Sequence, residues 1–430
     1  MSDYKDQTVL ICTHGLFVSW AQRFAREYGH VLLCVPHTHS SFPTMNGGLL
    51  GYGMENVEIV ESIFCPQFDT IDLFVFPDLG FADEQLYLES IGKTVWGGRA
   101  GEEIENFRDL CKQEMTKLGL PVQPWKKLVG MDALREHIKT HANQFVKLNR
   151  WRGHFETFKS VDYETSKVKL DEIEHKMGAN VVLAEFIVED EIPDAVEIGI
   201  DTFCIDGQHP PATIVGIEVK DLGYVGQFME WDKIPALVRE WHEKMGPVFA
   251  KYGYKGCLSN EQRITQDLVG YMIDCTARAP SPPSELFQEQ YANFCEIITE
   301  GAKGNVIAPV AAAKWGVEII MRSSWAEKNW QPISFDPKFT NQVKLFNAEC
   351  IASQWFIVPQ DEELKEIGAI IGLGDTLEAA VENAKEVAAT IKGFGIEIPD
   401  GSIDRAKEQM EQLAEFGLPV FDLEESPTTK

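Results

Sequence analysis

Two strand-like runs separated by a turn, Gly253 to Thr265 and Tyr271 to Arg278, place Glu261 and Asp274 where a hairpin aims both carboxylates at one cation. In the second run Asp274, Thr276 and Arg278 fall at i, i+2 and i+4 and share one face of a strand, while Ile273, Cys275 and Ala277 take the other. A carboxylate, a hydroxyl and a guanidinium on one face make poor core. Mg²⁺ takes a few carboxylate oxygens and completes its shell with water and phosphate oxygens, and a neighbouring Arg offsets charge on a transferred phosphoryl group. Mn²⁺ suits the same donors. The same residues also suit a solvated hairpin with an ordinary ion pair.

Upstream, Gln144-Phe-Val-Lys-Leu148 is a short apolar run interrupted by Lys147 and followed by Asn149-Arg-Trp-Arg-Gly-His-Phe-Glu-Thr-Phe158. A Lys projecting from a strand beside a turn suits nucleotide phosphates, and Arg150 and Arg152 add forked donors for phosphate oxygens. A surface hairpin with exposed bases is the alternative. A third segment runs Val181-Val-Leu-Ala-Glu-Phe-Ile187, then through an acidic turn to Val196-Glu-Ile-Gly-Ile-Asp-Thr202, where Glu197, Gly199 and Asp201 alternate with Ile198 and Ile200 as in a half-buried strand.

Together these segments resemble the ATP-grasp enzymes, in which a Glu on one strand is followed by a Glu-x-Asn-x-Arg strand that binds metal. Here the second motif reads Asp274-Cys-Thr-Ala-Arg278, with Asp for the second Glu and Thr276 for the Asn. The resemblance implies that Lys147 contacts phosphates and that the turn after it closes over them. That turn departs from the family's Gly-rich loop, keeping only Gly153. It further implies that Glu185, Phe186 and Ile187 form the adenine hinge, that Glu197 is a ribose or metal-side ligand, and that Arg108 stands where the family has a Lys, with Lys112 one turn later.

Composition agrees with a multidomain soluble enzyme. The 430 residues allow about three domains, and 44% hydrophobic residues with 10 Trp and 25 Phe fill several cores. A net charge of -28 excludes a sequence-independent grip on nucleic acid, which needs a basic surface. No stretch approaches the roughly 20 apolar residues of a membrane helix. Met1-Ser-Asp-Tyr-Lys-Asp6 lacks the cationic start of a signal peptide, so a cytoplasmic location is expected. Nine scattered Cys without a C-x-x-C pair or His at zinc spacing predict free, mostly buried thiols rather than disulfides or a zinc site.

The element pattern supplies the frame. Thr8–Cys12, Val31–Val35 and Leu73–Phe76 are buried-strand runs, the first two joined by a helical stretch from Phe17 to Tyr28, and Gly92–Gly98 adds a fourth strand. This βαβ alternation predicts a parallel sheet whose C-terminal strand ends bind small ligands. Those ends carry His14 and Gly15, His37 and His39, and Asp78. A helix is expected from Gly101 to Leu118, another from Ser284 to Gly301, then a strand near Ile367 and a helix from Thr376 to about Ile391.

In the ATP-grasp frame these become an N-terminal Rossmann-like domain (1–120), a lid (121–180), a catalytic core (181–325), a C-terminal α/β domain (326–422) and a frayed acidic tail (423–430). The order is most similar to the phosphoribosylamine-glycine ligase branch. There a Gly-Asp-Pro-Glu turn follows the metal strand; here Ala279-Pro-Ser-Pro-Pro-Ser-Glu285 stands in its place and puts Ser281 beside the substrate. The resemblance implies an ATP-dependent carboxylate-amine ligase working through an acyl phosphate on small molecules, as a monomer or homodimer. His14, Gly15, Asp78, Arg278 and Ser281 would line the substrate pocket, with Arg278 and Lys147 acting on the phosphoryl group. Two alternatives stand beside it. One is biotin-carboxylase-like activation of bicarbonate, disfavoured because no Met-Lys-Met carrier segment is present. The other is a nucleotide-binding protein that has lost catalysis, which the irregular loop and Thr276 would permit.

Overall fold

The computed structural model describes residues 4–36, 50–150, 157–220, 222–359, 365–399 and 401–423. His37, His39, Arg152, Gly153 and the tail from 424 lie outside the described residues.

The apolar runs near the start form a five-stranded parallel sheet of β1 (Tyr4–Cys12), β2 (Tyr28–Cys34), β3 (Val57–Val60), β4 (Leu73–Val75) and β5 (Val95–Trp96), in the order β3-β2-β1-β4-β5. Val9, Leu10 and Ile11 of the central strand are fully buried, as strands covered on both faces require. Strand β3 escapes a hydropathy reading because Glu58 interrupts its four residues. The helix expected over 101–118 is two: Glu103–Asn106 and Arg108–Lys117, broken at Phe107, whose backbone is extended. That break turns Glu105 and Arg108 in different directions.

A second sheet, antiparallel, comprises β6 (Trp125–Val129), β7 (Gln144–Leu148), β8 (Thr157–Ser160) and β9 (Glu185–Asp190) in the order β6-β9-β7-β8. Helices Met131–Ile138 and Tyr163–Met177 cover one face, burying Val146, Leu170, Phe186 and Val188. By strand alternation Lys147 and Ile187, which pair across β7 and β9, point to the other face with Phe145 and Glu189.

The largest sheet contains β10 (Ala195–Ile205), β11 (Ala212–Val219), β12 (Gly223–Glu230), β13 (Lys255–Thr265), β14 (Gly270–Thr276) and β15 (Trp315–Arg322). After β16 (Gln331–Ile333) the chain adds β17 (Val343–Leu345), β18 (Ala348–Ile351), β19 (Gln354–Ile357) and β20 (Glu366–Gly374). The eight-stranded order is β14-β13-β10-β11-β12-β15-β20-β17, and β16, β19 and β18 form a small sheet of their own. Two strands beyond residue 325 thus extend the core sheet without a break. Thr376 caps the helix Leu377–Ala388, which packs so closely on β20 that a Cβ on Gly372 would lie 2.2 Å from the Ala380 carbonyl oxygen. The expected helix from Ser284 to Gly301 is also two, Ser284–Gln290 and Phe294–Ala302. One apolar cluster runs from Val9 and Trp20 through Phe294 and Tyr291 to Phe203 and Ile214, fixing the parallel sheet against the large one.

All nine Cys are free thiols and eight are buried. Among the described residues no helix is long and apolar enough to cross a membrane.

Candidate nucleotide and metal site

Strands β13 and β14 pair as a hairpin with Glu261 directly opposite Asp274, and a bulge follows Glu261. Both carboxylates line a cavity of about 150 Å³ together with Glu197, Asp201, Glu218, Tyr224, Ser259, Thr276, Arg278 and Ser281. Asp201 is buried at 3% exposure and accepts hydrogen bonds from Ser259 and, at 2.5 Å, from the Tyr224 hydroxyl. Glu105 of the first domain reaches the same hairpin, accepting from the Ala277 N–H at 2.6 Å and from Arg278 Nε at 3.2 Å. Pro77, at the end of the β4 run, takes the Ala279 N–H at 2.8 Å, so the strand ends of the parallel sheet abut the turn after β14.

A second cavity, about 180 Å³, lies between the lid sheet and the core and shares Glu197, Glu261 and Asp274 with the first. Its other walls include Phe145, Lys147, Glu189, Ile192, Lys220 and Arg263. Lys147 is 7% exposed; its Nζ donates across the gap to the Ile273 carbonyl at 2.6 Å and stands 3.6 Å from Glu189. Lys112 Nζ is 2.9 Å from the same Glu189, and Gln123 donates to it at 2.6 Å. Burial works to raise the Glu189 carboxyl, but Lys147 and Lys112 prevail and hold it below the usual carboxylate range.

No protein-family model matches the chain, and no curated protein matches it. Solved structures do. Phosphoribosylamine–glycine ligase from Thermotoga maritima superposes with a TM-score of 0.70 at 14% identity, covering 91% of this chain and 98% of that one. The biotin carboxylase domain of the 2-oxoglutarate carboxylase of Hydrogenobacter thermophilus, solved with MgADP, ADP and bicarbonate, gives 0.66 at 13% identity over 97% and 99%. N5-carboxyaminoimidazole ribonucleotide synthetase from Thermus thermophilus gives 0.57 at 13% over 89% and 98%. The chain has the ATP-grasp fold.

In the ATP-grasp frame the residues expected from sequence fall into two groups. Glu197, Glu261, Asp274, Thr276, Arg278 and Ser281 line the acidic cavity, and Lys147 lines the cavity under the lid. The others lie elsewhere. Glu185 starts β9 at the opposite end from these two cavities, bound by Asn149 and Lys127, and with Arg150 lines a third and larger cavity of about 750 Å³; Phe186 is buried in the core of the four-stranded sheet and Ile187 is fully buried beside Lys147. From β9 and the turn after it, Glu189, Asp190 and Ile192 line the cavity between the two antiparallel sheets. Arg108 turns to the lid backbone, donating to the Leu148 carbonyl at 2.5 Å, and Arg150 stacks on Phe107, its guanidinium 4.7 Å from the ring centroid. His14 stacks on Phe81 and contacts the Leu79 carbonyl, Gly15 abuts Asn347, and Asp78 caps the Leu79 N–H; none of the three is in either cavity wall.

Sequence reasoning missed Glu218, Asp201, Tyr224 and Ser259 as wall residues and Glu105 and Glu189 as their supports. Two signals were usable: the lone charge Glu218 near the end of the apolar run Ala212–Val219, and the alternation that sets Asp201 on one face with Glu197. Crowding perturbs these acids. Burial, then Glu197, Asp201 and Glu366, push the Glu218 carboxyl up to about 8 against a hydrogen bond with Glu261. Burial, then Glu218, Glu197 and Asp274, push Glu261 well above the ordinary range. Asp201 rises to about 6 through burial, moderated by Ser259 and Tyr224. Hard carboxylate oxygens that repel one another in a polar cavity fit a divalent cation. Among the described residues no group of three His, Cys, Asp or Glu is placed to hold a metal ion by itself; Mg²⁺ is commonly held through one or two carboxylates, with phosphate and water completing its shell.

Proposed function

We propose that the protein is an ATP-dependent ligase that activates a small carboxylate as an acyl phosphate and passes it to an amine. One observation carries this reading: two polar cavities, each holding at least one cationic side chain, meet on the carboxylate pair Glu261 and Asp274. Acids line both; the one under the lid adds three cations, Lys147, Arg263 and Lys220, and the other a single guanidinium, Arg278. A phosphoryl group transferred between them would pass the place where a metal is held. The fold likeness to a phosphoribosylamine–glycine ligase supports the same reaction class.

Glu261 and Asp274 would hold Mg²⁺, with Thr276 beside them; the ion supplies charge neutralisation at the phosphates. Lys147 would bind phosphate oxygens, and Arg278 would face the transferring phosphoryl group or the acceptor carboxylate, so that the chemistry is mostly positioning. Both cavities are smaller than the roughly 300–1,000 Å³ of most ligand pockets, and Lys147 spans the gap to Ile273. A nucleotide seated in the one under the lid would displace the Lys147–Ile273 bond.

The test is to incubate the protein with Mg-ATP and pools of amino acids and amines. The reading expects ADP and, by mass spectrometry, a product lighter than the summed reactants by one water. Nucleotide binding without ADP would instead support a protein that has lost catalysis. Bicarbonate-dependent ADP formation without an amine would support the carboxylase-like reaction.

A further inference from the structure

We propose that Glu105 is a positioning residue for Arg278; the inference rests on the ligase reading, which gives Arg278 its task. Arg278 lies two residues beyond the end of β14, outside the ladder that fixes Asp274 and Thr276, so the hairpin alone does not set its direction. Glu105 does. It sits on the short helix Glu103–Asn106 of the first domain, 3% exposed, and uses both carboxylate oxygens on the hairpin. One takes the Ala277 N–H at 2.6 Å and the other takes Arg278 Nε at 3.2 Å. Arg278 Nη1 meanwhile donates to the Ala279 carbonyl at 3.1 Å. Gripping Nε and Nη1 fixes the guanidinium plane, and the side chain then forms part of the acidic cavity wall.

Only a carboxylate of this length serves both donors at once. A Gln at 105 offers one acceptor oxygen and places an NH₂ against either the Ala277 N–H or Arg278 Nε. The break at Phe107 is what permits the arrangement: Glu105 turns to the metal strand while Arg108, three residues on, turns to the lid strand at Leu148. The segment thus touches both the β13–β14 hairpin and the strand that carries Lys147, and Glu105 is the contact that addresses the reacting end.

The experiment uses the full chain with Glu105→Gln and Arg278→Lys, singly and combined. It reads single-turnover ADP formation from Mg-ATP with the amino-acid and amine pool, and the nitrogen-15 NMR signal of the Arg278 Nε–H, assigned by its loss in Arg278→Lys. Glu105→Gln is expected to slow ADP formation roughly 10- to 100-fold with the KM for Mg-ATP unchanged, to add no further loss to Arg278→Lys, and to shift the Arg278 signal. Losses that multiply in the double variant, or an Arg278 signal that stays in place, would overturn the proposal. If the wild type forms no ADP, the ligase reading fails, and the Arg278 signal alone decides whether Glu105 holds the guanidinium. Should Glu105→Gln not fold, Glu105→Asp, which keeps the charge but shortens its reach, is read in the same two ways.

Discussion

Lys147→Met separates the nucleotide-binding role of Lys147 from its structural one. The methionine keeps most of the buried stem and removes the ammonium, which donates to Ile273 at 2.6 Å and stands 3.6 Å from Glu189. Breaking a buried pair outright costs about 3–5 kcal/mol because a charge is left uncompensated. Here Lys112 at 2.9 Å and Gln123 at 2.6 Å still hold Glu189, so the expected loss of folding stability is smaller, about 1–3 kcal/mol. A charge-assisted bond to phosphate is worth about 1.5–3 kcal/mol, so Mg-ATP should bind roughly 10- to 150-fold more weakly. Acid titration adds a signed check. Glu189 is held below its ordinary range, so its contribution to stability is present above the unfolded carboxylate value of about 4.3 and is lost as pH falls through the lower folded value. Removing Lys147 weakens that depression, and the stability gap between wild type and variant should narrow below about pH 4. Chemical denaturation across pH and calorimetric titration with a non-hydrolysable Mg-ATP analogue measure both quantities. A folded variant with wild-type nucleotide affinity would remove Lys147 from the phosphate site.

Three further outcomes are expected. Asp274→Asn should depress turnover far more than the thermal midpoint, with partial recovery in excess Mg²⁺; lost stability with normal turnover would leave only a structural hairpin. Gly15→Ala should destabilise the protein by about 1–3 kcal/mol or more, because φ is +111° and the added Cβ would fall 2.3 Å from Asn347 Oδ1, as thermal denaturation would register. Because Pro77 binds the turn after Arg278, a substrate reaching past Arg278 would meet His14 and Asp78 outside the two cavity walls, and His14→Ala and Asp78→Asn should then each raise the apparent KM for the acid or the amine with that for ATP nearly unchanged; wild-type constants for every substrate would confine the pocket to the cavities.

What the sequence made legible follows from how local each signal is. Period-two alternation and a turn suffice to pair Glu261 with Asp274, and uninterrupted apolar runs suffice for β1 and β2, because neighbours along the chain determine them. An apolar strand looks the same at either end, so the motif points to Glu185 to Ile187 as the hinge. Which of the strand's residues meet a cavity depends on the course of β9: Glu189, Asp190 and Ile192 line the one shared with Lys147, and Glu185 lines a larger one at the other end. Glu105 is the harder case. In sequence it belongs to the run Glu102-Glu103-Ile-Glu105, which reads as the solvated start of one long helix, and nothing local marks Phe107 as a break. Its partners Ala277 and Arg278 lie far along the chain, and so does Lys147 from Ile273. The ligands of such a site are written in local motifs, whereas the groups that aim them come from neighbouring strands or, like Glu105, from another domain, and become visible only when the elements are brought together. It follows that substitutions at Glu105 and Glu189, which no motif marks, should perturb the site as strongly as substitutions at the motif residues they hold.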